Sequence, residues 1–270
     1  MSVFVAEELS EVLNTKVVIG RINMGLLNRI IIDDVLLDDQ SGQEMLKVTR
    51  LSAKFDIMPF FKGKISISSV QLFGFNINLR KETPDSPPNF KFVLDAFASK
   101  DTVKKENSLD LRINSILIRR GRMSYHVLSE EETPGKFNAK HIQLQNIIAN
   151  ISLKALSKDS LNLGIKRLSL DEKASGFSLK KMSLKLVANN KQTNIDNFTI
   201  ELPETSLKLD TIHLEYDSLK AFDRFTEQVH FSFRTLPSQV TLKDISPFVP
   251  ILSHFKEPVT LDMVVKGTVD

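Results

Sequence analysis

Hydrophobic positions along this chain of 270 residues follow two spacings in turn, and the switch between them organises the sequence. From Val3 to Asn14, the residues Phe4, Val5, Leu9, Val12 and Leu13 fall along one stripe, opposite Glu7, Glu8 and Glu11. A period of about 3.6 residues predicts an amphipathic helix, with Ser2 placed to cap it and an apolar stripe that packs on a sheet edge. Beyond it, apolar and polar residues alternate, which predicts strands with one dry and one wet face. Val17 and Ile19 begin the alternation and Ile22 continues it. Ile30 and Ile32 give way to Val35 and Leu37, and after Gly42 come Leu46, Val48, Leu51, Ala53, Phe55 and Ile57. Pro59 stops that strand. Gly63 reopens the pattern with Ile65 and Ile67, then Val70 and Leu72, then Phe73, Phe75, Ile77 and Leu79.

The Pro-rich stretch from Thr83 to Asn89 is the clearest loop. Phe90 to Ala98 after it predicts a second short helix, with Asn89 as its cap, and Lys100 to Asn107 forms a charged linker. Two regions result: residues 1–107, an α+β module, and residues 108–270, a repeating β segment. In the second region, alternating pairs recur with a slip of parity between them. Leu111 and Ile113 change to Ile116 and Ile118; Leu163 and Ile165 change to Leu168 and Leu170; Leu207 and Leu209 change to Ile212 and Leu214. A slip of one residue sends every later side chain to the other face, so each slip has to be a bulge, a kink or a turn. Ser218 to Gln228 reads as a helical patch, and the Pro-interrupted Ile245 to Leu252 as a short helical turn. The alternation is still running at Asp270, so the repeat is expected to continue in a longer protein.

Composition narrows the function classes. With 36 Lys and Arg against 33 Asp and Glu, the net charge is +3, too small at this length to mark a nucleic-acid binder. The absence of Cys excludes a disulfide scaffold, a thiolate nucleophile and Cys-ligated metal. No apolar run approaches the roughly 18–20 residues of a membrane span. Aromatic residues are 18 Phe, 2 Tyr and no Trp, so the ring-lined surfaces lack polar handles.

Catalytic patterns are missing. No glycine-rich phosphate loop and no GxSxG turn occurs. The histidines His126, His141, His213, His230 and His254 show no metal-ligand spacing and read as strand or loop residues. Asp33, Asp34, Asp38 and Asp39 lack the spacing of a calcium loop and read as a solvated turn. Asp244, ahead of Pro247, reads as a helix cap. Arg119, Arg120 and Arg122, and later Lys180, Lys181 and Lys185, read as solvent-facing strand positions. The expectation is a non-enzyme with no catalytic residue, no metal and no cofactor.

A physical problem is left. A sheet with one apolar face must cover it, and the few short helical patches cannot cover about fifteen strands. Either the sheet folds on itself into a sandwich, or it curls into a trough whose apolar inside is filled by something else.

Several segments resemble the N-terminal part of the TamB/AsmA family of Gram-negative envelope proteins, in particular its long Bacteroidetes members. The similarity rests on Val5 to Leu13 running into Lys16 to Ile22, on Ile30 to Gly42, on Leu51 to Ile57, and on Gly63 to Gly74. Asn89-Phe90, Leu242 to Pro250, and Val264 to Thr268 match later landmarks. The resemblance implies an inner-membrane anchor preceding this segment, a periplasmic location, and an elongated, twisted antiparallel β-groove, taco- or open-barrel-like. It further implies phospholipid transport between membranes or assembly of outer-membrane proteins, and it carries over no catalytic residue.

In such a groove the lining would be the alternating apolar residues Ile65, Ile67, Phe73, Phe75 and Ile77, then Leu111 and Ile113. It would continue with Leu163, Ile165, Leu184, Leu186, Leu207 and Leu209. Three readings compete: a lipid groove, an interaction scaffold that pairs an outer-membrane β-barrel assembly partner along its sheet edge, and an enzyme with a polar pocket.

Overall fold

The computed structural model describes residues 2–26, 28–55, 67–98, 114–156 and 160–268. The fold is mainly β, an open antiparallel sheet with a few short helices. The chain divides into two compact units, residues 1–148 with 172–175, and residues 149–171 with 176–270. The boundary expected at residue 107 lies outside the described residues.

The first unit opens with helix α1 (Ser2–Leu13), in which Ser2 is already helical. Strands β1 (Val17–Gly25), β2 (Arg29–Asp38), β3 (Glu44–Phe55) and β4 (Ile67–Lys81) follow, each antiparallel to the last. Helix α2 (Lys91–Ala98) precedes β5 (Ser115–Val127) and β6 (His141–Leu156), the last of which passes into the second unit. One pairing departs from the antiparallel expectation: β4 and β5 run parallel, Val70 opposite Ile116 and Ile77 opposite Met123. A parallel pair needs a long crossover, and the connection holding the Pro-rich loop and α2 supplies one. Asn89 does not act as the expected cap. Its amide instead ties the loop to the sheet, accepting from Arg80 N–H at 3.0 Å and donating to the Asn78 carbonyl at 3.1 Å.

The second unit holds β7 (Ser160–Glu172), β8 (Ser178–Asn189), β9 (Gln192–Glu201), β10 (Ser206–Glu215), β11 (His230–Thr235) and β14 (Val264–Gly267), neighbours in that order. The short strand β12 (Ser238–Val240) lies between β10 and β13 (Val259–Leu261). The expected helical patch is a 3-10 turn, Leu219–Arg224, continued by α3 (Phe225–Gln228). The Pro-interrupted segment forms two 3-10 turns, Leu242–Ile245 and Pro250–His254. Asp244 does not cap its turn: its carboxylate accepts the Glu204 N–H at 2.9 Å and fixes the β9–β10 connection.

Several parity slips fall at residues with left-handed backbone. In the first unit, Asp34, Gly74, Arg120 and Asn146 adopt left-handed backbone, with φ of 56°, 64°, 54° and 55°. The register places two of these on one line: Ile19 and Arg21 oppose Val35 and Asp33, which oppose Val48 and Arg50, which oppose Phe75 and Phe73. Gly20, Asp34, Thr49 and Gly74 are the residues stepped over. A left-handed residue in a strand breaks the alternation of sides, so the apolar set changes parity in sequence without changing face. Ile22 and Ile32, before or after the break by parity, pack against the same cluster as Val17, Ile19 and Leu37. In the second unit Asn197 (φ 53°) is left-handed in the same way, whereas between Ile165 and Leu168, Ser183 and Lys185, and Leu209 and Ile212 the strand register itself shifts.

Candidate functional site

Neighbouring strands bring the apolar residues into rows. In the first unit, Val17, Leu37, Leu46, Ile77 and Met123 are successive cross-strand partners, and so are Ile22, Ile32, Leu51, Leu72 and Ile118. In the second, one row runs Leu163, Leu186, Ile195, Ile212, Phe233 and Val265. Cross-strand pairs of this kind stabilise a sheet, and on one face they also form a continuous apolar floor.

The first unit covers part of its floor. Ala6 and Leu13 of α1 join Val17, Ile19, Leu37 and Met45 in a buried cluster, with Phe92, Val93 and Ala96 of α2 packed against it. Further along, the Phe75 ring lies on Gly121: a Cβ there would stand 2.4 Å from the ring and 3.1 Å from Ile147 Cβ. Gly121 is thus the cradle of a buried Phe, which the charged context Arg119-Arg120-Gly121-Arg122 concealed.

The second unit seals one end in another way. Tyr216, Ala221 and Val229 form a small buried cluster, with Val229 fully buried. The Tyr216 hydroxyl donates to the Asn189 carbonyl at 2.8 Å and contacts Thr193 Oγ1 at 2.9 Å, and Phe222 meets the ring edge-on. Away from that end the floor is half-buried: Leu163, Ile165, Leu184, Leu186 and Leu207 all retain solvent contact, while Leu209 is buried.

Of the expected lining residues, Ile65, Leu111 and Ile113 lie outside the described residues. Ile67 and Ile77 are half-buried and Phe75 is buried. Phe73 does not belong with them. It lies across the Gly74 break, 39% exposed, in the charged row Arg21, Asp33, Arg50, Phe73 and Arg119, and the Arg120 guanidinium sits 5.2 Å from its ring centroid. The alternation Phe73, Phe75, Ile77 looked continuous because sequence spacing does not register a left-handed residue. Conversely, Ile195, Ile212 and Phe233 belong to the floor and were not singled out; the parity change on either side of Asn197 and Leu209 is the signal that locates them.

The opposite face carries the charge. Asp33, nearly buried, receives the Arg50 guanidinium at 2.6 Å, with Arg21 at 3.8 Å. The Arg50 hydrogen bond outweighs desolvation and, with the charges of Arg50 and Arg21, holds the Asp33 carboxyl below the ordinary aspartate value. Asp39 also departs from the solvated turn expected of it. It is buried, pairs with Arg80 at 2.7 Å, and accepts from Ser41 and Gln43 N–H groups and from Asn89. Burial pushes its carboxyl up, but those hydrogen bonds together outweigh burial and leave it low. Glu172, likewise, is held low against burial by Ser175, Gln143 and Ala174. Each of these carboxylates is consumed in fastening strands and turns.

Among the described residues no helix is long and apolar enough to cross a membrane. No protein-family model matches the chain, and a search of curated proteins found no match.

Proposed function

We propose that this chain is a non-catalytic carrier of phospholipid acyl chains, a periplasmic segment of an envelope protein anchored in the inner membrane. The observation that carries the reading is the half-buried apolar floor of the second unit, with its cross-strand row from Leu163 to Val265. Acyl chains lie along the rows of Leu, Ile and Phe, each buried methylene contributing about 0.8 kcal/mol. Headgroups stay in water. The rows contain no fixed charge to stop a headgroup, which suits movement along the floor rather than storage. The compartment and the anchor rest on the resemblance to the TamB/AsmA segments alone.

The test is to incubate the purified chain with phospholipid vesicles, reisolate it, and identify extracted lipid by mass spectrometry. Phospholipid is expected with the parent chain and is expected to be lost in the double variant Leu186→Asp, Ile212→Asp. Absence of lipid from the parent chain, or equal lipid in the variant, would sink the reading. The end strands β1 and β14 support a second reading, an interaction scaffold that adds a strand of an outer-membrane assembly partner. Saturable binding of such a β-barrel assembly protein to the lipid-free chain would favour that scaffold.

A further inference from the structure

Two of the five histidines, fifteen residues apart in sequence, meet in the first unit. His126 stands near the end of β5 and His141 opens β6, and their Nδ1 atoms are 3.0 Å apart. Glu132, on the connecting loop, places Oε1 3.8 Å from His126 Nδ1 and 4.0 Å from His141 Nδ1. His141 is buried, and its Nε2 lies 2.9 Å from the Glu130 carbonyl oxygen. A carbonyl only accepts, so this assigns the proton of His141 to Nε2 and leaves a lone pair on Nδ1. His126 Nδ1 is then the donor in the contact between the rings. The loop is braced around them: Lys140 pairs with Glu130 at 2.7 Å, Asn138 donates to the Glu131 carbonyl at 3.1 Å, and Lys140 N–H donates to Asn138 Oδ1 at 2.9 Å.

We propose that His126, Glu132 and His141 form a binding site for a divalent transition-metal ion, with zinc the best match to the ligand set. Tetrahedral zinc with bonds of about 2.0–2.1 Å needs ligand atoms about 3.3 Å apart. The three observed spacings straddle that value. The ion takes the place of the proton between the two Nδ1 atoms. His126 shifts its single ring proton from Nδ1 to Nε2 by exchange with solvent, which frees the Nδ1 lone pair for the ion, while Glu132, exposed on its loop, closes by roughly 0.5 Å to complete the set. Donation from His141 Nε2 to a backbone carbonyl is the backing that ligating histidines ordinarily have, fixing tautomer and ring orientation. Two imidazoles and one carboxylate suit zinc, whereas calcium and magnesium favour all-oxygen sites. The fourth position is left to water. A bound ion would tie the β5–β6 loop to both strands it joins, independently of any lipid on the apolar face.

The test uses the whole chain stripped with a chelator, titrated with zinc by calorimetry and followed by NMR of the histidine ring nitrogens. One zinc per chain is expected, with the His126 and His141 signals moving. His213, whose Nε2 contacts the Glu215 carboxylate at 2.9 Å, serves as the internal control and is expected to stay in place. E132Q, a change at an exposed side chain that spares folding, is expected to weaken binding by at least about tenfold, and H126A by more. Zinc bound equally by the parent chain, E132Q and H126A would overturn the assignment, as would zinc shifts confined to His213.

Discussion

The apolar floor of the first unit and that of the second are built by the same alternation and meet different fates. In the first, Val17, Ile19, Leu37 and Met45 lie under α1 and α2 and are nearly lost to solvent. In the second, Leu163, Leu184 and Leu186 occupy cross-strand rows of the same kind and stay only half-buried. The strands are alike in composition, so alternation decides only which side of a strand is apolar. Whether that side becomes core depends on a helix supplied from elsewhere in the chain.

The sharpest break of this comparison is a truncation in each region. Leu37→Ala is expected to cost about 2–5 kcal/mol, because the covered cluster is left with a cavity. Leu186→Ala is expected to cost under about 1.5 kcal/mol, since part of its surface is never removed from water. Urea unfolding of both variants reads the difference, and equal losses would mean the second floor is as sealed as the first.

Next in size is Gly121→Ala. Its methyl would meet the Phe75 ring, and overpacking of this kind costs about 1–3 kcal/mol. Phe75→Leu in the same chain is expected to recover part of the loss, a coupling that a double-mutant cycle measures.

Gly74→Ala tests the break line itself. At φ of 64° and with Thr49 Oγ1 only 2.7 Å from the new Cβ, the change is expected to cost about 1–2 kcal/mol. Thr49→Ala removes the clashing hydroxyl together with its 3.1 Å hydrogen bond to the Gly74 carbonyl, so the loss in the double variant relative to Thr49→Ala alone, read by thermal unfolding, reports the backbone part.

The smallest effect separates the turns from the floors. Asp39 and Glu172 have carboxyls lowered in the folded chain, so their stabilisation is present above their ordinary values, 3.8 and 4.5, and is lost as pH falls below them. Urea midpoints measured down this range should decline, and Asp39→Asn should flatten part of the decline. A parent chain whose midpoint is constant through this range would contradict the assignment.

Much of this was legible in the sequence. The helix at Val3 to Asn14, the strands with one apolar face, the Pro-rich loop and the necessity of bulges at each slip all follow from spacing. Phe73 shows where spacing fails. Its alternation with Phe75 is regular in sequence, but the left-handed Gly74 between them puts the two rings in different surroundings. His126 and His141 show a second failure: fifteen intervening residues conceal a 3.0 Å contact, because a hairpin loop carries no ligand spacing to count. Asp33 and Asp39, read as solvated, are buried because Arg50 and Arg80 arrive from other strands.

Periodicity is a local property, written in consecutive residues, and it determined the element types, the apolar side of each strand and the absence of familiar catalytic motifs. Long-range pairing decided the rest: the parallel β4–β5 register across a long crossover, the alignment of the breaks at Gly20, Asp34, Thr49 and Gly74, and the burial of Phe75 on Gly121. Those features depend on which strand lies beside which. Strand neighbours are chosen by packing and backbone hydrogen bonds between residues far apart in the chain, and no single stretch of sequence contains that information.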